Sequence, residues 1–346
     1  MITRNILKFL TLLLMIIGFA GCAQKKADTQ QTRSQEPAAE QVVSVDQETQ
    51  LLLDDLRENG DYVNSREFPS LIKASIVHDN LDKKIHVIDI RSAQLFAEGH
   101  IKGAVNKRFE DLPTYFENDI KPFEFEKIII VSDDGQVSAY TTMLLRLIGY
   151  GNVFSMRWGM SAWNKKIADK GWLKGVTGKY ESKLDTITHV KPSATALPLL
   201  KTMKTSGQEI GQERYKKLFE EGTANVLISA EEVFGNPDKY FVINYDRKDK
   251  YEKGHIPGAV RFKPDETLGF VSEMGSIPAD KTVVVYCGTG HNSAFVTAYL
   301  RLFGYDARTL QYGNNGFMYN KMVSEKVALS WQPFTNEDVN NYEVVK

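Results

Sequence analysis

One of the chain's two cysteines, Cys287, heads the loop Cys287-Gly288-Thr289-Gly290-His291-Asn292-Ser293. Ahead of it, residues 282–286 read Thr-Val-Val-Val-Tyr, a continuous β-branched run of the kind that forms a buried parallel strand. Behind it, Ala294, Thr297, Ala298, Leu300 and Leu302 recur at helical spacing as far as Gly304. A thiol between strand and helix faces converging backbone N–H groups and the positive end of the helix dipole, which favour thiolate over thiol. These residues point to an activated sulfur nucleophile, reacting with alkylators well below the free-cysteine pKa of about 8.5. A lone cysteine can instead be a small buried hydrophobe; the glycines and Ser293 around this one favour chemistry.

The scaffold that must position the loop is written twice. Glu98-Gly99-His100-Ile101-Lys102-Gly103-Ala104-Val105 recurs as Lys253-Gly254-His255-Ile256-Pro257-Gly258-Ala259-Val260, an offset of 155 residues. The same offset pairs Ile128–Val131 with Val283–Tyr286, Ser132 with Cys287, Gly135 with Gly290, Ser138 with Ser293, and Leu145–Tyr150 with Leu300–Tyr305. Each copy predicts a strand (His86–Ile90; Tyr240–Tyr245), a short helix (Ala93–Glu98; Asp249–Lys253), a turn, the strand-loop-helix unit and a last strand (Asn152–Met156; Ala307–Leu310). Strands alternating with helices imply a parallel sheet covered on both faces.

The 346 residues, 42% apolar and 25% charged, leave room for two domains. Residues 1–21 carry Arg4 and Lys8 and then an apolar core, Phe9–Phe19, too short to span a bilayer and characteristic of a secretory signal. It closes on Ala20-Gly21-Cys22, which resembles a lipobox, so Cys22 is expected to be lipidated and the protein to be an exported lipoprotein held on the periplasmic side of a cell-envelope membrane. Acylated Cys22 cannot form a disulfide, which leaves Cys287 a single free thiol. Residues 22–50 read as the lipidated end and a disordered tether reaching about 30 Å. A helix is expected over Leu51–Asn59, stopped by Gly60. The first domain then takes residues 51–171, a connector 172–222 and the second domain 223–346. The connector reads either as packing across both domains or as a loose linker, with candidate helices at Leu197–Lys204 and Gln212–Glu221. The formal net charge of −1, more negative once Arg4 and Lys8 leave, gives no sign of a nucleic-acid partner.

With the copies aligned, the chain resembles the rhodanese family of sulfurtransferases in its tandem two-domain form, over about residues 67–171 and 223–322. The resemblance implies an α/β fold of two tandem rhodanese-like domains, each a mostly parallel sheet flanked by helices. It also implies that Cys287 takes a sulfane sulfur from a small anionic donor, thiosulfate or 3-mercaptopyruvate, as a persulfide and passes it to a thiol or cyanide. Gly288 and Gly290 suit a cradle of N–H donors, and Ser293 either caps the helix or donates to the sulfur. The first copy has Ser132-Asp133-Asp134-Gly135 instead, with two acids that would repel an anion, and is expected to be inactive.

Family members that use thiosulfate commonly carry Arg or Lys in the loop, where this chain has Gly288 and Asn292; His291 is the one loop residue able to carry positive charge. Cys287-Gly288-Thr289-Gly290 is closer to the mercaptopyruvate branch, with Thr289 where that branch has a hydroxyl. A carboxylate substrate would want a guanidinium, and Arg247, Arg91 and Arg157 are the candidates, each also readable as a surface arginine. His100 and His255 share one context in both copies and are read as holding a turn, Asp89 and Asp246 as satisfying strand-end partners. Trp158, Trp163, Tyr312, Phe317 and Tyr319 are read as packing residues. The histidines form no ligand spacing with cysteine, so neither metal nor cofactor is expected. A cysteine phosphatase would need an arginine six places after the cysteine, where Ser293 stands. The alternative from another class is a non-catalytic module that binds a sulfur anion or a partner, with Cys287 sensing redox state.

Overall fold

The computed structural model describes residues 43–59 and 61–346. The signal segment, Cys22, most of the expected tether and the Gly60 stop lie outside the described residues. Two five-stranded sheets carry the two copies. In the first, β1 (Leu71–Ile72), β2 (Ile85–Asp89), β3 (Val105–Asn106), β4 (Lys127–Val131) and β5 (Val153–Met156) lie in the order β1-β5-β4-β2-β3. In the second, β6 (Leu227–Ile228), β7 (Tyr240–Asn244), β8 (Val260–Arg261), β9 (Thr282–Tyr286) and β10 (Ala307–Leu310) repeat it as β6-β10-β9-β7-β8. Every pairing in both sheets is parallel, more uniform than expected. Central strands β4 and β9 are buried on both faces, which is why they read as unbroken Ile and Val.

Among the helices are α1 (Gln47–Asn59), α2 (Ala93–Glu98), α3 (Gln136–Leu147), α4 (Gly207–Glu221), α5 (Lys248–Tyr251) and α6 (His291–Leu302), with further short helical segments between and after them. Helix α1 begins inside the expected tether, because Asp46 accepts the N–H groups of Glu48 and Thr49 at 3.0 and 3.3 Å and so starts the helix early. Helix α4 starts five residues ahead of the expected position, where Ser206 caps it. No helix forms over Leu197–Lys204: Lys201 and Met203 have positive φ, and the Thr202 and Met203 N–H groups bond the Glu48 carboxylate at 2.6 and 2.7 Å instead of an upstream carbonyl.

The 155-residue register continues through Tyr150 and Tyr305, then shortens by one: Phe154 and Arg308 occupy the same place in their sheets. The copies meet along α3 and α6, which pack directly on each other. One continuous apolar core runs through both, holding Ile128, Ile130 and Leu144 from the first with Val283, Val285 and Leu302 from the second. Phe295 of α6 reaches Tyr62 and Phe68 ahead of β1, with ring centroids 6.3 and 5.5 Å apart. Full burial of such a side chain contributes about 1.5–3 kcal/mol.

The connector is a packed element. Arg214 of α4 donates to the last carbonyls of α6, Arg301 O at 2.6 Å and Leu302 O at 2.9 Å. Each copy's trailing segment lies on the other copy. After the first, Thr177 and Tyr180 donate to Asn315 O and Phe317 O, and Asp185 pairs with His255. After the second, Asn340 and Tyr342 donate to Ala162 O and Trp163 O, and Val345 pairs with His100. Phe334 is buried in the first copy's core. The divisions at 171 and 222 therefore follow the repeat in the sequence, while the packing exchanges the two tails. No helix among the described residues is long and apolar enough to cross a membrane.

Candidate active site

Strand β9 delivers Cys287 to the C-terminal edge of the second sheet, where α6 begins at His291. The turn between them needs Gly290, whose φ is +75°; a Cβ there would lie 2.2 Å from Gln136 Nε2. Gly313, on the loop after β10, closes the other side, and a Cβ there would sit 2.3 Å from Cys287 O. Gly288 is not forced in this way, since a Cβ would find only Asp246 Oδ2 at 3.6 Å. The first copy displays the cradle directly. Ser132 Oγ accepts the N–H groups of Gly135 at 3.0 Å and Ser138 at 3.2 Å. In the second copy the N–H groups of Ser293 and Thr289 act on Cys287, whose Sγ lies 3.8 Å from Ser293 Oγ.

Ser293 does not cap α6. It stands inside the helix, donating to Gly290 O at 3.0 Å and paired with Thr309 Oγ1 at 2.6 Å, as Ser138 is tied to Gly135 O and Ser155. A brace present in both copies is structural, although here it also borders the sulfur. His291 is fully buried, and its Nε2 accepts the Trp158 N–H of the first copy at 3.0 Å. That leaves the ring proton on Nδ1, which donates to Thr289 Oγ1 at 3.0 Å. Burial, reinforced by the Arg157 charge, lowers the His291 pKa to about 3. The imidazole is therefore neutral near pH 7, as its ordinary pKa already favours: it is a strut that orients Thr289, whose own hydroxyl proton remains to be donated. Asn292 begins α6 beside it, half-buried.

The thiol itself departs from expectation. Cys287 is 5% exposed, and burial pushes its pKa above the ordinary thiol value, with the Asp246 carboxylate adding to the rise. Hydrogen bonds from Ser293 and Thr289 offset only part of this. Strand pairing settles the register that sequence left open: Asp89 pairs with Val131 and Asn244 with Tyr286, so Asp246 occupies the place of Arg91. The first copy has a buried Arg91 bound to Asp89 at 2.6 Å; the second has Asn244 and a buried Asp246, an inversion of charge beside the sulfur. Asp246 is met by Lys250 Nζ at 3.6 Å and Asn314 Nδ2 at 3.5 Å.

Of the three candidate arginines, Arg157 is the one on whose titration the Cys287 charge acts. It lies over the Trp158 ring at 4.7 Å and donates to Gln332 Oε1 at 2.6 Å. Arg247 is exposed and paired with Asp249 at 3.0 Å, and Arg91 belongs to the first copy's loop, 3.8 Å from Asp133. In that loop Asp134 accepts the Gln136 N–H at 2.9 Å, burial raises its pKa to about 6, and a cavity of about 620 Å³ opens beside it rather than beside Cys287. The residues sequence reasoning missed are Asn314 and Asn315. Asn314 N donates to Cys287 O at 3.0 Å and Asn315 Nδ2 to Gly288 O at 3.0 Å. The available signal was the contrast between Gly313-Asn314-Asn315-Gly316 and Gly159-Met160-Ser161-Ala162 after the last strands.

Fold and site together define a duplicated α/β scaffold with a cysteine at the head of one loop and serine at the same place in the other. The family model described as rhodanese-like domain matches residues 73–166 and 229–319, together more than half of the chain. The chain belongs to the rhodanese-like family. Among curated proteins it is 34% identical over 84 residues to a tRNA sulfurtransferase of Pyrobaculum aerophilum, covering 24% of this chain and 17% of that one. It is 27% identical over 86 residues to an uncharacterized protein of Buchnera aphidicola, covering 24% of this chain and 58% of that one. Among solved structures, SseA from Escherichia coli, described as a 3-mercaptopyruvate sulfotransferase, matches 71% of this chain and 99% of its own at 16% identity and a TM-score of 0.26.

Two outcomes follow from this geometry. Asp246→Asn removes the negative charge that raises the thiol pKa, so the midpoint of Cys287 alkylation against pH should fall and the rate at pH 7 should rise severalfold; an unchanged midpoint contradicts the assignment. His291 has a folded pKa depressed to about 3 from 6.5, so the stability it contributes is complete above pH 6.5 and is lost as pH falls towards 3. His291→Gln, matching Gln136, should therefore lose about 2 kcal/mol less than the parent between pH 7 and 5 in denaturant titrations. Parallel pH profiles for the two proteins contradict it.

Proposed function

We propose that this protein is a sulfurtransferase with Cys287 as nucleophile. The thiolate attacks the transferable sulfur of a small donor; the donor's bond to that sulfur breaks, and the electron pair leaves with pyruvate enolate or sulfite, according to the donor. An acceptor thiol or cyanide then attacks the outer sulfur of the persulfide, the S–S bond breaks, and the Cys287 thiolate departs. The observation that carries this reading is the convergence of loop N–H groups on the side-chain atom at the Cys287 position, measured at Ser132 in the first copy. The bond from His291 Nδ1 to Thr289 Oγ1 leaves the Thr289 hydroxyl proton uncommitted, which supports assigning it as a donor to the developing charge.

For the donor we favour 3-mercaptopyruvate over thiosulfate. Asp246 beside the loop and a neutral His291 disfavour a dianion, while Arg157 offers one guanidinium for a carboxylate. The raised thiol pKa and slight exposure of Cys287 favour a second reading, a non-catalytic binding or redox-sensing module, and one assay separates the two.

The full chain should gain a single sulfur atom by intact mass on incubation with 3-mercaptopyruvate, and lose it to cyanide. Cys287→Ser should gain none and transfer none. Absence of any sulfur adduct with either donor, or equal transfer by Cys287→Ser, rejects the enzyme and leaves the binding module. We further propose export and anchoring through a lipid on Cys22, on the strength of the Ala20-Gly21-Cys22 pattern. Radiolabelled palmitate should enter the parent and not Cys22→Ala, which should leave the membrane fraction; equal labelling contradicts the anchor.

A further inference from the structure

The connector brings two potential metal ligands onto the turn ahead of β8. Asp185 and His255 exchange backbone hydrogen bonds of 2.9 Å each way, and His189 pairs with Val260. This places Asp185 Oδ2 at 2.6 Å from His189 Nε2 and 3.9 Å from His255 Nε2, with all three ligand atoms within 4.8 Å of one another. In both copies the turn histidine is held alike. His100 bonds Phe96 O at 2.9 Å and stacks on the Phe96 ring; His255 bonds Tyr251 O at 2.8 Å and stacks on the Tyr251 ring. The turn-holding role read from the sequence thus uses Nδ1 and its proton.

What differs is the other nitrogen. His255 Nε2, on a fully buried side chain, faces Ile187 O at 3.1 Å and the Asp185 carboxylate beyond it. A neutral ring carries one proton, already committed to Tyr251 O, so two oxygen acceptors meet a nitrogen lone pair. That arrangement calls for a positive charge between them. Burial opposes a second ring proton and lowers the His255 pKa. Asp185 is held as an anion by hydrogen bonds: its Oδ1 accepts the Ile187 N–H at 2.7 Å and its Oδ2 lies 2.6 Å from His189 Nε2.

We propose that Asp185 Oδ2, His189 Nε2 and His255 Nε2 bind a first-row divalent cation, with Zn²⁺ the best match. Two imidazoles and a carboxylate form a borderline donor set suited to zinc, with a fourth tetrahedral position for water. Bonds of about 2.0–2.1 Å place tetrahedral ligands about 3.3 Å apart. Asp185 would move about 0.7 Å away from His189 and about 0.6 Å towards His255, and the two histidine nitrogens, within 4.8 Å of each other, would draw together. His189 and Asp185 are partly exposed, which gives the ion a path in, whereas His255 closes the floor. The Tyr251 O bond fixes the His255 tautomer and leaves Nε2 free to coordinate. The consequence is mechanical. Ion binding would clamp the connector to the His255 turn, whose Ile256 N–H donates to the Tyr286 hydroxyl at 3.1 Å, one residue before Cys287. This proposal does not depend on sulfur transfer.

The test uses untagged full chain carrying Cys287→Ser, so that the thiol cannot bind metal. Chelator-treated protein is titrated with Co²⁺ as a visible probe of tetrahedral coordination, and with Zn²⁺ by calorimetry. One equivalent per chain, an intense visible cobalt band displaced by zinc, and a melting temperature raised by excess zinc are expected. His189→Gln, at a partly exposed position, and Asp185→Asn should each bind at least tenfold more weakly, and the same excess of zinc should no longer raise their melting temperatures. No stoichiometric binding by the Cys287→Ser protein, or binding by His189→Gln and Asp185→Asn equal to it, overturns the proposal.

Discussion

Two side chains that cross between the copies hold this structure together where its chemistry lies. His291 leaves the second copy to accept the Trp158 N–H of the first, and Gln136 leaves the first to bind the second. Gln136 accepts the Tyr312 N–H at 2.7 Å and donates to Leu310 O at 3.0 Å and Gly290 O at 3.3 Å. Both sit at the first residue of the helix that follows a copy's loop, so each loop is bonded to its neighbour's backbone. Each bond satisfies a buried group that would otherwise cost about 1–3 kcal/mol if unpaired. The two loops are thus tied to each other through the first residues of α3 and α6.

The charge at the loop follows a different logic from its shape. The helix terminus and N–H groups draw negative charge to Cys287, while burial and Asp246 resist it. A thiol balanced between these influences is unlike one activated by a neighbouring cation. The exchange of arginine for aspartate at the place of Arg91 is compensated locally by Lys250 and Asn314. Such a pocket is poorly suited to a dianion. Arg157, contributed by the first copy, is the candidate guanidinium on which the Cys287 charge acts.

The repeat made most of the fold legible. Unbroken β-branched runs at 128–131 and 282–285 named the central strands, and the fixed offset located both loop helices. What the sequence concealed were features set by tertiary contact. The exchange of tails depends on pairing between segments far apart in the chain, such as Asp185 with His255, and has no local signature. The extended stretch at 197–204 has apolar spacing that suits a helix, yet Glu48 captures its N–H groups. Likewise the burial that neutralises His291 and raises the Cys287 thiol pKa comes from the opposing copy and the loop after β10. Loop composition displayed the glycines and the dipole, whereas the desolvation opposing them required the packed structure.

The central claim is that the loop of the second copy is an N–H cradle for a sulfur atom carried on Cys287. The most direct measurement is a crystal structure of the full chain after exposure to 3-mercaptopyruvate. The account predicts one additional sulfur bonded to Cys287 Sγ, directed into the loop within hydrogen-bonding reach of the backbone N–H groups between Gly288 and Ser293. An unmodified Cys287 in crystals of donor-treated protein, or a sulfur directed away from those groups, would contradict it.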